Sequence, residues 1–381
     1  MQIGIRETSS LNYIPGLDGV RAIAVLLVML FHFTAGAAPM LAPFGYGWQA
    51  FGGIAKLGWV GVDIFFVLSG YLIAKVLETR PVGSLSAYAS FIGRRFRRLA
   101  PPYIFCLVVF SIVAWAFVPE SKVFKNQHLL WTLTANIEGS FGERNPLGDG
   151  SFALFHFWSL AVEWHFYLLF PVIIWVAGSV KRAALFLVAV ALGCRLAFVH
   201  YGLSDNALYA FTLCRIDSLA MGTLLACVNV QAAASARKSV GLIGATAFVA
   251  LMGCVASGSV PFKTLTWLQT VGYTAVALSI AMVMFAVVAS SCDSRLVAAL
   301  EQRWLVWIGR ASYSLYIWHM VFFPTIFATI AQRGLDPRAQ YLATFAVSML
   351  VTFAAGWISF KFVETPFLRR PNSRRRSMAG T

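Results

Sequence analysis

With 381 residues, 59% of them apolar and only 12% charged, and a mean hydropathy of +0.74, the chain is too oily for a soluble domain; such domains run near 45–50% apolar and about 25% charged. The net charge of +15 sits in clusters between apolar runs, notably Arg94-Arg95-Phe96-Arg97-Arg98 and Arg369 to Arg376. That is how topology signals and contacts to anionic membrane lipids are written, and it argues against nucleic acid as a partner, because no soluble basic domain exists to bind it. The six cysteines (106, 194, 214, 227, 254 and 292) lie in or beside apolar runs without metal or redox spacing, so they read as small buried hydrophobes.

Hydropathy predicts an all-α integral membrane protein with about ten transmembrane helices, at about 17–36, 57–78, 99–118, 156–178, 184–200, 207–229, 240–257, 266–290, 307–330 and 340–363. The N-terminal apolar run is too long for a cleaved signal peptide, and no small-residue cleavage site follows it cleanly. The run 128–137 is too short to span and reads as interfacial or re-entrant. No internal repeat or heptad is visible, so residues 1–381 read as a single transmembrane domain, with helices over about 17–363 and a short basic tail, 364–381. With the N-terminus inside, the inner loops hold Arg80, the Arg94–Arg98 cluster, Lys181, Arg182, Arg237, Lys238, Arg295, Arg303 and the C-terminal arginines. The outer loops then keep only Lys56, Lys122, Lys125, Arg144, Lys263, Arg333 and Arg338, so both termini are expected to be cytoplasmic. The outer segment 119–155, with Glu143 to Gly150 at its polar centre, reads equally well as a cover over an outer mouth and as a plain surface loop.

The first span runs from Arg21 to His32. These two are eleven residues apart, nearly three full turns, so they share a helix face, separated by about 16 Å along the axis. An ionisable group near the centre of a membrane helix costs about 2.5–3.5 kcal/mol, so each one asks for a reason. Further spans bring ionisable groups to a similar depth: Asp63 in the second, Glu163 in the fourth, Arg215 and Asp217 in the sixth, His319 in the ninth. They are expected to pair within one shared polar cavity. A histidine beside a carboxylate suits general-base chemistry, because the acid fixes the tautomer and stabilises the imidazolium. No spacing places two metal ligands on one helix face, so no metal is expected. In the basic cluster, Arg94 and Arg97, or Arg95 and Arg98, share a face if helical, and two guanidinium forks on one face can grip phosphates. The stretch Gly58 to Tyr71 mixes small and aromatic residues, and by spacing alone it supports only tight helix packing.

Together these segments resemble the acyltransferase-3 family of bacterial membrane acyltransferases, which modify surface glycans such as O-antigen and exopolysaccharide and some small molecules. The resemblance rests on Leu17-Asp18-Gly19-Val20-Arg21 through His32, Gly58 to Tyr71 (with Asp63 and Ser69), and Arg95-Phe96-Arg97-Arg98 before a proline. It continues with Trp158-Ser159-Leu160 through Glu163 and Tyr167, Arg215-Ile216-Asp217 through Gly222, Ser312 to His319, and Glu364-Thr365-Pro366. Seven motifs in order over most of the chain are specific where any one is weak. The resemblance implies an acyl-CoA donor, acetyl-CoA by default, reaching the site from the cytoplasm, and an acceptor hydroxyl on a cell-surface or lipid-linked glycan. It implies a place in the bacterial inner (cytoplasmic) membrane. It implies His32 as catalytic base with Arg21 and Glu163 as catalytic partners. Arg95, Arg98, Arg94 and Arg21 become CoA contacts, and Asp63, Ser69, Trp158, Arg215, Asp217 and His319 supporting cavity residues. Some members continue into an extracytoplasmic SGNH esterase-like domain; this chain stops soon after its tenth helix, so it is expected to act alone or with a separate extracytoplasmic acyltransferase. Acylation of a small lipophilic product such as a macrolide uses the same machinery and stays open. A proton-coupled transporter is the alternative from another class, but no paired inverted repeat supports it.

Overall fold

The computed structural model describes residues 13–35, 45–142, 146–149, 151–257 and 262–368. The arginine-rich tail and the Glu143–Asn145 part of the outer segment lie outside the described residues. No strand forms among the described residues; an isolated antiparallel bridge joins Gly148 and Ala153. The principal helices are α1 (Leu17–Ala35), α2 (Tyr46–Lys56), α3 (Val60–Thr79), α4 (Leu85–Phe117), α5 (Trp158–Ala177) and α6 (Val180–His200). They continue with α7 (Thr212–Ala226), α8 (Arg237–Ser257), α9 (Tyr273–Val288), α10 (Arg303–Trp318), α11 (Phe323–Ala331) and α12 (Pro337–Ile358). Nine segments among the described residues are long and apolar enough to cross a bilayer, and the bent pair α10–α11 makes a tenth.

Several spans differ from their predicted limits. The second begins at Tyr46, because a 3-10 turn, Leu57–Trp59, couples α2 to α3. The third begins at Leu85, capped by the Ser84 hydroxyl, so the Arg94–Arg98 cluster is helical rather than a loop. The sixth is two helices, Asp205–Ala210 and α7, parted at an extended Phe211. The ninth is broken: α10 and α11 meet at 70°. The tenth runs through a π-helical segment, Ser359–Glu364, to Leu368, so Glu364 and Thr365 belong to a helix and not to a tail. The run 128–137 falls in a chain of short helices, Lys122–Lys125, His128–Trp131 and Ala135–Phe141, where the Tyr103 hydroxyl donates to the Leu130 carbonyl at 2.7 Å.

Packing follows from small residues at crossings, since lipid tails are as apolar as leucine and give helices no hydrophobic reason to associate. α1 packs between α10 and α3, and α3 lies along α7. At the α3–α7 crossing a Cβ on Gly70 would meet the Leu219 carbonyl, and one on Gly222 the Val67 carbonyl. The contact is reciprocal and main chain to main chain, so no side chain can move aside. Gly222→Leu is expected to cost about 1–3 kcal/mol through overpacking, whereas Gly253→Leu in α8, with open space around it, should be tolerated. Thermal unfolding of the two variants in detergent checks this.

Candidate active site

Two cavities lie end to end in the bundle. The first, about 110 Å³, is lined by Arg21, Arg95, Arg98, Ser69, Glu163 and Tyr167, among others. Helical spacing explains the arginines: Arg95 and Arg98 share the face of α4 turned to the cavity, while Phe96 and Arg97 are exposed. Arg94 does not line this cavity. The Arg95 guanidinium packs 5.7 Å over the Tyr167 ring. Glu163 and Tyr167, one turn apart on α5, meet Ser69 of α3: both hydroxyls donate to the Glu163 carboxylate, and Ser69 and Tyr167 lie 2.9 Å apart. At the mouth, Asp18 pairs with Arg21 at 3.4 Å and with Arg310 at 3.3 Å. Glu301 pins the start of α1 by accepting from Tyr13 (2.8 Å) and the Gly16 amide (2.6 Å). Burial, and next the bond to Glu301, hold the Tyr13 phenol above its ordinary value.

The second cavity, about 380 Å³, is lined by His32, His156, Trp59, Trp158, Tyr209 and Lys263, among others. His32 lies in the last turn of α1, where its Nδ1 is 3.0 Å from the Val28 carbonyl and 3.1 Å from His319 Nε2. His156 packs edge-on to His319 with ring centroids 4.6 Å apart. Val62 and Tyr316 line both cavities and form their common wall. Tyr316 is held there by its hydroxyl, 2.5 Å from Ser159 Oγ and donating to the His156 carbonyl at 3.1 Å.

The expected single cavity is thus two, and its membership changes. Glu163 lines the arginine-rich cavity and not the one with His32, and among the described residues no carboxylate lines the His32 cavity. Asp63, Arg215 and Asp217 are fully buried and line neither cavity. Arg215 donates to Asp63 at 2.6 Å, and Asp217 accepts from Arg195 at 2.9 Å and from Thr274 at 2.5 Å. The remaining Arg215 faces lie against aromatic rings, 4.3 Å from Tyr273 and 5.2 Å from Tyr209. Each carboxylate has a closer cation than any imidazole, and paired charges sealed from lipid are the arrangement burial permits. Trp158 bridges the two regions, lining the His32 cavity with its ring 5.9 Å from the Arg215 guanidinium. His319 and Ser69 lie in contact with the expected groups. Sequence reasoning missed His156 and Arg195. Arg195 was detectable as a lone charge within an apolar span. His156 was detectable as an imidazole two residues ahead of the Trp158-Ser159-Leu160 motif.

The fold and these back-to-back cavities define a multi-pass helical membrane protein with a polar site enclosed in its bundle. Comparison with known proteins identifies its family. The chain belongs to the acyltransferase-3 family, whose model, an acyltransferase domain, matches residues 14–358. It is 28% identical to the O-acetyltransferase OatA of Staphylococcus aureus, over 96% of this chain and 59% of that protein. It is 29% identical to the peptidoglycan O-acetyltransferase OatA of Listeria monocytogenes, over 94% of this chain and 56% of that protein. The chain therefore spans somewhat under three fifths of the length of these relatives. No solved structure matches it.

Proposed function

We propose that this membrane O-acyltransferase moves an acetyl group from cytoplasmic acetyl-CoA to a hydroxyl of an extracytoplasmic glycan. One observation carries the reading: an arginine-lined cavity and a histidine-bearing cavity share a wall, and Arg21 and His32 mark the two ends along one helix. The excess of Lys and Arg in the loops on the Arg21 side supports a cytoplasmic location for that side. Arg95, Arg98 and Arg21 hold the CoA phosphates there through charge-assisted hydrogen bonds. The pantetheine arm extends inward, past Val62 and Tyr316, to bring the thioester to His32. The axial reach from Arg21 to His32, about 16 Å, suits an extended arm.

In the His32 cavity the acceptor hydroxyl gives its proton to His32 Nε2 as its oxygen bonds the thioester carbonyl carbon. The C–S bond then breaks, and the CoA sulfur takes the proton from His32 Nε2–H, leaving an ester and free CoA. Aromatic faces at Trp59, Trp158 and Tyr209 suit a sugar ring. The similarity to a peptidoglycan O-acetyltransferase favours a peptidoglycan hydroxyl over O-antigen or exopolysaccharide as the acceptor.

The test is CoA release and ester formation by the purified protein in liposomes, with acetyl-CoA and a soluble peptidoglycan fragment. Transfer to the fragment supports the reading. CoA release with no ester on any glycan argues for a different acceptor, and no response to any acyl-CoA overturns the proposal. Arg98→Ala is expected to raise the KM for acetyl-CoA about 10–100-fold, the equivalent of one charge-assisted bond of about 1.5–3 kcal/mol. An unchanged KM would remove Arg98 from the donor site.

A further inference from the structure

The chemistry proposed for His32 needs a free Nε2 lone pair, yet among the described residues no carboxylate is bonded to its ring. What replaces the carboxylate can be traced to a break in a helix. Pro324 lies in the first turn of α11, where its missing N–H and fixed φ suit a helix start, and it has no N–H to give to the Met320 carbonyl. The chain leaves α10 at Trp318 through a four-residue turn, 319–322. In that turn the Val321 amide bonds the Trp318 carbonyl, three residues back, instead of the Ile317 carbonyl, four back. The last carbonyls of α10 are thereby released, and released carbonyls inside a membrane protein must find donors.

They find imidazoles. His319 Nδ1 lies 2.6 Å from the Tyr316 carbonyl, and His156 Nε2 lies 3.2 Å from the Ile317 carbonyl. A carbonyl can only accept, so His319 carries its proton on Nδ1, and its Nε2 is a lone pair. That lone pair lies 3.1 Å from His32 Nδ1, which also lies 3.0 Å from the Val28 carbonyl. Both neighbours of His32 Nδ1 are acceptors, so Nδ1 holds the proton and Nε2 is the basic nitrogen. His319 is almost wholly buried and cannot exchange partners with solvent.

We propose that His319 is the positioning residue for His32: a carbonyl freed where α10 ends fixes the tautomer of His319, and His319, together with the Val28 carbonyl, fixes that of His32. This inference rests on the reading of His32 as the base. When His32 Nε2 takes the hydroxyl proton, the imidazolium keeps its Nδ1–H bond to His319. Its charge is met by two helix C-termini, since His32 lies in the last turn of α1 and His319 directly follows the last residue of α10. Asp63 and Asp217 are consumed by their arginines, and Glu163 lines the other cavity.

The experiment compares wild type, His319→Ala and His319→Gln, using acetyl transfer and 15N NMR of histidine-labelled protein in detergent. The His32 signals are identified by their loss in His32→Ala. Wild type should show His32 protonated at Nδ1 only. His319→Ala leaves the Val28 carbonyl as an acceptor at His32 Nδ1 and should lose about 100-fold in kcat, with an unchanged KM for acetyl-CoA and a measurable fraction of His32 protonated at Nε2. His319→Gln offers an amide N–H to the Tyr316 carbonyl and an amide oxygen to His32 Nδ1–H, so it should restore the single tautomer and most of kcat. If His319→Ala fails to fold, the glutamine variant still decides: a wild-type tautomer with restored kcat supports the proposal, and a mixed tautomer with full kcat overturns it. Wild-type turnover by His319→Ala would also overturn it while leaving His32 as the base. Absence of transfer by the wild-type protein itself would instead strike the reading of the function.

Discussion

Replacing His32 by alanine is expected to lower acetyl transfer by about 10²–10⁴-fold while leaving acetyl-CoA affinity unchanged. The size follows from what a positioned general base contributes. The unchanged affinity follows from the separation of the two cavities: the arginines proposed to meet the donor line one, and His32 lines the other. Equilibrium binding of acetyl-CoA and steady-state CoA release, measured on the same preparation, check both halves. Wild-type transfer by the variant would remove His32 from the chemistry. A labelled acetyl group trapped on His32 without acceptor would replace base catalysis with a covalent intermediate.

The largest effect on stability is expected at the buried pair between α3 and α7. Arg215→Met leaves Asp63 fully buried with only the Ser218 hydroxyl, at 2.8 Å, to meet its charge. Breaking a buried pair from one side typically costs about 3–5 kcal/mol, whereas replacing both partners by apolar groups is often neutral. The single variant should therefore unfold in detergent well below the wild type, and Asp63→Leu combined with Arg215→Met should recover most of the loss. The aromatic rings around the guanidinium, Tyr273 above all, suit a methionine thioether. Equal losses in the single and double variants would mean that packing against those rings, and not the ion pair, holds the two helices together.

Some of the site was legible because it is written along single helices. Arg21 and His32 share a face of α1 by their spacing alone, and Arg95 and Arg98 share one on α4. In each case the 3.6-residue period carries the geometry. The spans were legible for the same kind of reason, since a bilayer demands long apolar runs whatever the fold. Partners on different helices were not legible. Asp63, Glu163 and Asp217 have similar sequence surroundings, and all were expected beside the histidines. Only the packing of α3, α5, α6 and α7 shows that two of them are consumed by Arg215 and Arg195, and that Glu163 faces Ser69 and Tyr167. The same packing brings His156, which precedes α5 in the chain, against His319.

By itself, then, the sequence determined an all-α membrane protein, about ten spans, the pairing of Arg21 with His32 on one helix face, and the family to which these motifs belong. These depend on hydropathy and helical periodicity, which act within a segment. Tertiary structure alone decided that the expected polar groups divide between two cavities and a set of buried ion pairs, that the ninth span breaks at 70°, and that the His319 imidazole lies against His32. The physical reason is that a buried charge or a freed carbonyl takes whichever partner packing brings within hydrogen-bond reach, and that choice is made between helices far apart in the chain.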